Sequence, residues 1–241
     1  MLQTQIKKIQ RLALDIDHNA AFGGKSRGNK HLLRTAKIAR FLAKKTRAST
    51  DIVLAGAFLH DTALPSGNDY EYARNKRIVK KLLKQFDLPK DERDAISECV
   101  ASHEGTSDPK TLEAKVVHDA DVLEKMGLLG IIRHTWKTTN QKKLDPRAIT
   151  KKDVREILDH IAWRRGRLQT PLARRMATYL TVRVSGEQTT TLVTIAATLA
   201  SKGVITEKIA LKLRSHLNKK QYEKLREQLE LTYLKVFRDN S

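Results

Sequence analysis

One cysteine, Cys99, stands in a chain of 241 residues. A single thiol excludes an internal disulfide and a zinc finger built on cysteine pairs, and it fits a reducing cytoplasm. Aromatic residues make up 5% of the chain against 40% for all apolar residues, so the core has to be built mostly from Leu, Ile, Val and Ala. No apolar run approaches the ~18 residues that cross a bilayer. The stretch MLQTQIKKIQRLALDID lacks the apolar segment of a secretory signal. A cytoplasmic protein without a membrane partner is the expectation. The GxxxxGK[ST] spacing of a P-loop is also missing. Acidic residues are scarce: 27 Asp and Glu face 47 Lys and Arg, giving a net charge of +20 and a pI near 10.1.

Such an excess attracts polyanions. Residues 133–183 hold 14 Lys and Arg against 4 Asp and Glu, half of the whole excess. Two readings of this stretch stay open. Arg164, Arg165, Arg167, Arg174 and Arg175, around Trp163 and Tyr179, supply phosphate forks and stacking rings for RNA or DNA. The plainer reading is a helix pair that buries Ile161, Leu168, Leu172 and Met176 and turns its arginines to solvent.

What the chain does contain is helical periodicity. Ile6, Ile9, Leu12, Ala13 and Ile16 recur at three- and four-residue steps, which places them on one helix face. FGGKSRGNK, residues 22–30, reads as a loop with three glycines and three cations, and a helix follows over 29–45. Thr50-Asp51 reads as the cap of DIVLAGAFLHD, which is apolar enough to be a buried central helix. Further helices are expected over 70–86, over 89–102, where Asp91 and Glu92 suit the dipole, and over 114–136. The polar stretch 138–146, TTNQKKLDP, reads as a connector between two parts, 1–140 and a basic helical 141–241. In the second part Thr150 and Asp153 suggest a capping box. Thr170-Pro171 suggests a cap with proline at the first helical position, and Thr206-Glu207 opens helices over 206–217 and 219–237. TTTLVTIAATL lacks strand alternation and reads as a buried helix. The fold class is all-α.

The chemistry concentrates in four separated fragments. They are GNKHLLRTAKIA with His31, AGAFLHDTALP with His60-Asp61, ECVASHEG with His103, and VVHDADVLEKMG with Asp119 and Asp121. The first, second and fourth supply two imidazoles and two carboxylates, a mixed nitrogen–oxygen set suited to a borderline divalent ion. A histidine taken singly is more often structural; the set as a whole points to a metal. The separations are too long for one helix, so these groups converge only if the helices pack.

In this order, with apolar runs before them, the fragments resemble the HD-domain superfamily of metal-dependent phosphohydrolases, whose signature reads H…HD…D. The resemblance covers residues 20–140. It implies an HD-domain-like helical bundle, here with a C-terminal helical extension. It implies one divalent metal, with Mn, Mg, Co, Ni, Fe and Zn not distinguished. The family's ligands fall on His31, His60, Asp61 and Asp121, the last within Ala120-Asp121-Val122-Leu123. The implied reaction is hydrolysis of a phosphate ester or anhydride, above all of a nucleotide, by water activated at the metal, with Asp61 placed to touch both.

Further residues follow from the same resemblance. His103 is expected to face the substrate phosphate or a second ion; a solvent-facing helix end that suits a charged imidazole is the alternative. Asp119 is expected to orient a ligand histidine, with capping as the alternative. Arg34 lies one turn after His31 and is a candidate substrate contact. Lys25, Arg27 and Lys30, with Gly23, Gly24 and Gly28, form a candidate phosphate-gripping loop, and Lys125 is a further candidate.

Two positions depart from the pattern. Many HD hydrolases carry a carboxylate three residues past the HD aspartate, where this chain has Ala63; Asp69 and Glu71 are the distant substitutes. The next helix, YEYARNKRIVKKLL, has no histidine, which argues for one metal over two. The alternative function is a nucleic-acid-binding or regulatory HD-fold protein with weak or no hydrolase activity, and a nuclease would join the two readings. Expected partners are a phosphorylated small molecule or nucleotide, RNA or DNA at 133–183, and a second copy in a homo-oligomer.

Overall fold

The computed structural model describes residues 2–24, 30–67, 69–104, 108–141, 150–180 and 186–230. Among these residues every regular element is helical. In chain order α1 is Leu2–Asn19, α2 His31–Thr46, α3 Thr50–Leu59, α4 Tyr72–Leu83, α5 Lys90–Ala101 and α6 Leu112–Glu124. Then come α7 Gly127–Gln141, α8 Lys151–Gly166, α9 Pro171–Leu180, α10 Gly186–Ser201, α11 Thr206–Lys212 and α12 Lys219–Glu230. Short 3-10 turns cover 21–24, 60–66 and 213–216. The chain divides into two compact units, 1–121 with 169–173, and 122–168 with 174–241.

In the first unit α3 is the central helix, packed against α1, α2 and α5. Ile52 through Leu59 are all buried, which accounts for a segment that is apolar on every side. Gly56 sits where α3 meets α5. A Cβ there would lie 2.7 Å from Cys99 Cβ and 3.2 Å from Val117, so glycine permits the close approach. Burial pushes the Cys99 thiol well up, which makes it a packing residue and not a nucleophile. Thr50-Asp51 is not the cap of α3. Ser49 holds that position without a side-chain cap bond, and its backbone N–H donates to Glu113 Oε1 at 2.9 Å. Between α4 and α5 the charges are matched. Lys76 Nζ donates to Glu98 Oε2 at 3.0 Å and to Tyr72 Oη at 2.8 Å. The ammonium groups of Lys80 and Lys90 donate to Asp94 and hold its carboxyl down at about 2.

In the second unit α7 is central, packed against α8, α10, α11 and α12. Ile131, Val154, Ile157 and Val193 form a core with Ile161 beside it. The helix expected over 114–136 is instead two helices, broken at Gly127 with φ of 64°. A Cβ at Gly127 would lie 2.6 Å from both Gln228 Nε2 and Leu180 O, so the position needs glycine for its conformation and for its space. Gln228, buried on α12, donates to Met126 O at 2.8 Å and accepts from Leu129 N at 3.4 Å. α7 continues through residues 138–141, so the start of the expected connector is helical; 142–146 lie outside the described residues, as does the end of the helix expected to 237.

The capping box of α8 forms as expected. Thr150 Oγ1 accepts from Asp153 N at 3.3 Å, and Asp153 Oδ2 accepts from Thr150 N at 2.8 Å. α10 is a helix, but it buries one face only: Leu192, Val193, Ala196, Ala197 and Ala200. Thr191, Thr194 and Thr198 are exposed, each hydroxyl donating to the carbonyl four residues earlier.

His134 on α7 gives the second unit a sensitivity to acid. Burial first, then the positive charges of Arg164 and its neighbours, hold its imidazole well below the ordinary range. The unfolded chain takes up this proton near pH ~6.5 and the folded chain does not. The histidine's contribution to stability is therefore whole above that pH and drains away as pH falls, by roughly 1.4 kcal/mol per pH unit. Melting temperature is expected to fall between about pH 7.5 and about pH 5, and to fall less in His134→Gln. Equal falls in both proteins would refute this.

Candidate metal centre

His31 is the first residue of α2, with its Nδ1 3.3 Å from Thr35 Oγ1 one turn on. His60 follows α3 as the first residue of the 60–66 turn, and its Nδ1 donates to Ala57 O at 2.7 Å. A carbonyl cannot donate, so the proton sits on Nδ1 and the neutral ring presents a bare Nε2. Asp61 is the next residue, and Asp121 comes from α6. All four are buried. His31 Nε2 lies 3.0 Å from His60 Nε2, 3.4 Å from Asp61 Oδ2 and 3.2 Å from Asp121 Oδ1. His60 Nε2 lies 3.3 Å from Asp61 Oδ1 and 3.2 Å from Asp121 Oδ1.

Ligand atoms about 2.1 Å from one ion stand about 3.0 Å apart at right angles and about 3.4 Å apart at the tetrahedral angle. The observed spacings match that shell. Two imidazoles with two carboxylates also suit a divalent first-row ion, and gathering them away from water without a cation is costly. The residues fit a metal.

Two further groups overlap the first: His60 with His103 and Asp121, and Asp61 with Asp69 and His103. His103 Nδ1 donates to Val100 O at 2.7 Å, so its Nε2 is bare as well. That nitrogen lies 3.5 Å from Asp69 Oδ2 and 4.0 Å from Asp61 Oδ1. His103 is not a solvent-facing helix end: it is 0% exposed, Asp69 is 1% exposed, and among the described residues neither His103 Nε2 nor Asp69 Oδ1 has a hydrogen-bond partner. The Asp69 carbonyl accepts from Asn75 Nδ2 at 2.5 Å, which ties it to α4. Ala63 is buried and offers no carboxylate, and Glu71 is exposed just before α4. Of the two distant substitutes, the fold brings in Asp69.

Asp119 serves elsewhere. Its carboxylate accepts from Gln169 N at 2.7 Å, Thr170 N at 2.8 Å and Thr170 Oγ1 at 2.6 Å. It anchors the start of α9 and does not orient a ligand histidine. Burial pushes its carboxyl up and these bonds oppose the shift. Thr170 Oγ1 in turn accepts from Ala173 N at 3.2 Å, the cap expected before Pro171. His118 Nδ1 donates to His103 O at 2.7 Å, steadying the site histidine through its backbone, and burial lowers the His118 imidazole. Arg34 is buried on α2. Lys30 is exposed in a left-handed conformation with φ of 57°. Lys125 is buried just past α6 and belongs to the second unit. Lys25, Arg27 and Gly28 lie outside the described residues.

Residues 29–126 match the family model described as HD domain, a segment that contains His31, His60, Asp61, Asp69, His103 and Asp121. Three solved structures share the fold. Bacillus subtilis YpgQ is 20% identical, with 74% of this chain and 89% of that one covered and a TM-score of 0.57. A protein from Lactobacillus plantarum is 24% identical, with 74% and 90% covered and a TM-score of 0.56. An HD-superfamily hydrolase from Bacillus thuringiensis is 21% identical, with 75% and 90% covered and a TM-score of 0.57. YpgQ has also been solved in complex with ADP. No curated protein matches the chain. Residues 29–126 thus match the HD domain in sequence, and the helical architecture of the chain is one it shares with these solved structures.

Proposed function

We propose that this chain is a metal-dependent phosphohydrolase that cleaves a phosphate ester or anhydride, with a nucleotide as substrate. The observation that carries the reading is the gathering of His31, His60, Asp61 and Asp121 at spacings of 3.0–3.4 Å. These four residues would hold one divalent ion. When bound, such an ion supplies a Lewis acid for phosphoryl oxygens and lowers the pKa of water.

The chain's own residues supply the proton chemistry. Asp69 and His103 face each other at 3.5 Å beside Asp61. His103 Nε2, bare and beside Asp61, takes the proton from the attacking water and returns it to the leaving oxygen, as general base and then general acid, while the Asp69 carboxylate steadies the imidazolium formed in between. Asp69 thereby fills the role left open at Ala63, which favours an enzyme over a protein that only binds. Burial of all these groups strengthens their electrostatic effect. Arg34 is the buried cation on α2 that would offset charge on the phosphoryl oxygens. The nucleotide assignment draws support from the net charge of +20, which favours polyphosphates, and from the ADP complex of a structural neighbour.

Turnover of an aryl phosphate and of a panel of nucleoside mono-, di- and triphosphates is expected after loading with Mn²⁺, Mg²⁺, Co²⁺ or Ni²⁺, and its loss on chelation. Absence of turnover with every metal would sink the proposal.

A further inference from the structure

Much of the arginine in the 133–183 stretch is engaged within the protein. Arg164 is 2% exposed and donates from Nε to His160 Nε2 at 3.0 Å. Arg174 Nε donates to Leu168 O at 2.9 Å. Arg167 lies over the Trp163 ring at 5.2 Å, and His160 stacks on the same indole at 5.7 Å. His160 and Arg167 thus already pack on Trp163, whose ring is 44% exposed.

A group of lysines without carboxylate partners lies further along, in α11 and α12, on either side of the 213–216 turn. Among the described residues, no carboxylate pairs with Lys208, Lys212, Lys219, Lys220 or Lys224; the ion pair on this segment is Arg226 with Glu223 at 3.6 Å. In α4 and α5, by comparison, Lys76, Lys80 and Lys90 have carboxylate partners, while Lys81 has none among the described residues. Lys208 and Lys212 stand four apart on α11, and Lys220 and Lys224 four apart on α12, a spacing at which like charges repel. Lys219 and Lys220 fill the first turn of α12, which has no acidic residue, at the end where the dipole disfavours cations.

These charges sit on a fixed frame. Asn218 N donates to Gln221 Oε1 at 3.0 Å, and Gln221 N donates to Asn218 Oδ1 at 2.9 Å. Arg214 packs over Tyr222 at 4.9 Å, and Gln228 fastens α12 to the α6–α7 break. Five ammonium groups carried on these two helices repel one another, and an extended, repeating anion relieves that repulsion. We infer that the helix–turn–helix 206–224 is a docking surface for nucleic acid, bound through its phosphate backbone without base readout. Lysine point charges suit phosphates, and neutralising them releases condensed counterions. The exposed large apolar side chain on this segment is Leu211. One leucine does not provide the apolar face of a membrane-lying helix or the aromatic anchors of a protein interface.

The test is anisotropy of a labelled RNA duplex with the full chain, across a salt series. Affinity is expected to fall linearly on a log–log plot, and the slope of K208Q/K212Q/K220Q/K224Q to flatten by about 0.9 for each phosphate that no longer meets a lysine. At ~0.1 M salt that variant is expected to bind at least ~10-fold more weakly. K7Q/K8Q/K37Q/K84Q removes the same charge from the first unit and is expected to keep both slope and affinity. Circular dichroism checks that both variants fold. Equal weakening in the two variants, or no binding at low salt, overturns the proposal. Tighter binding to phosphatidylserine vesicles than to RNA, abolished in the first variant, would overturn it in favour of a membrane surface.

Discussion

Asp61→Ala is expected to lose bound metal and turnover together. Asp61 places Oδ2 3.4 Å from His31 Nε2 and Oδ1 3.3 Å from His60 Nε2, so it would share the proposed ion's shell with both imidazoles. Altering a group that merely supports a ligand costs roughly 10- to 100-fold in affinity or activity, and removing a ligand itself costs more. Turnover is expected to fall by at least ~1000-fold, a barrier increase of about 4 kcal/mol. Elemental analysis should read close to no metal per chain. The metal-free fold, by contrast, is not expected to suffer, because the substitution removes one of several crowded acceptors. The wild type should gain melting temperature on metal addition, since an ion that binds the folded state stabilises it by mass action, and the variant should not. Full metal content with full turnover in Asp61→Ala would show that the ion sits elsewhere.

The gathering of His31, His60, Asp61 and Asp121 was legible because the His-Asp pair, a histidine before it and an aspartate after it occur in a fixed order, and because the helices between them carry enough apolar residues to pack. Asp119 and Asp121 differ in a way that local sequence does not carry. Two residues along a helix turn through ~200°, so neighbouring aspartates face opposite ways. One meets the histidines, and the other meets Gln169 and Thr170 about fifty positions on. The geometry forbids both from serving one ion, but the partner of the outward-turned residue has no local signature. Gly127 was visible as a glycine, yet apolar periodicity runs on through LEKMGLLG and masked the break. What closes that break is Gln228, a polar residue far along the chain. Asp69 was harder still. Nothing in its neighbours distinguishes a surface loop carboxylate from one drawn inside, and its burial depends on the turn after Asp61 and on Asn75.

Asp69→Asn is expected to keep the metal and lose the reaction. The substitution preserves size and leaves an oxygen, so the tie from Asn75 to the backbone carbonyl stays intact. It removes the carboxylate charge that faces His103 Nε2 at 3.5 Å. Proton transfer by a positioned group is worth roughly 100- to 10,000-fold, and a fall of that size in kcat is expected at unchanged metal content. The same measurement distinguishes the other role open to this residue. Asp61, Asp69 and His103 also form a donor set, and a ligand of a second ion would lower the metal count per chain along with kcat. Asn, an uncharged oxygen donor, binds a divalent ion far more weakly than a carboxylate does. A count that stays at one while kcat collapses leaves Asp69 as the partner of His103 in proton transfer. A count that drops from two to one makes it a metal ligand. Unchanged kcat would move the proton transfer to a group outside the pair altogether.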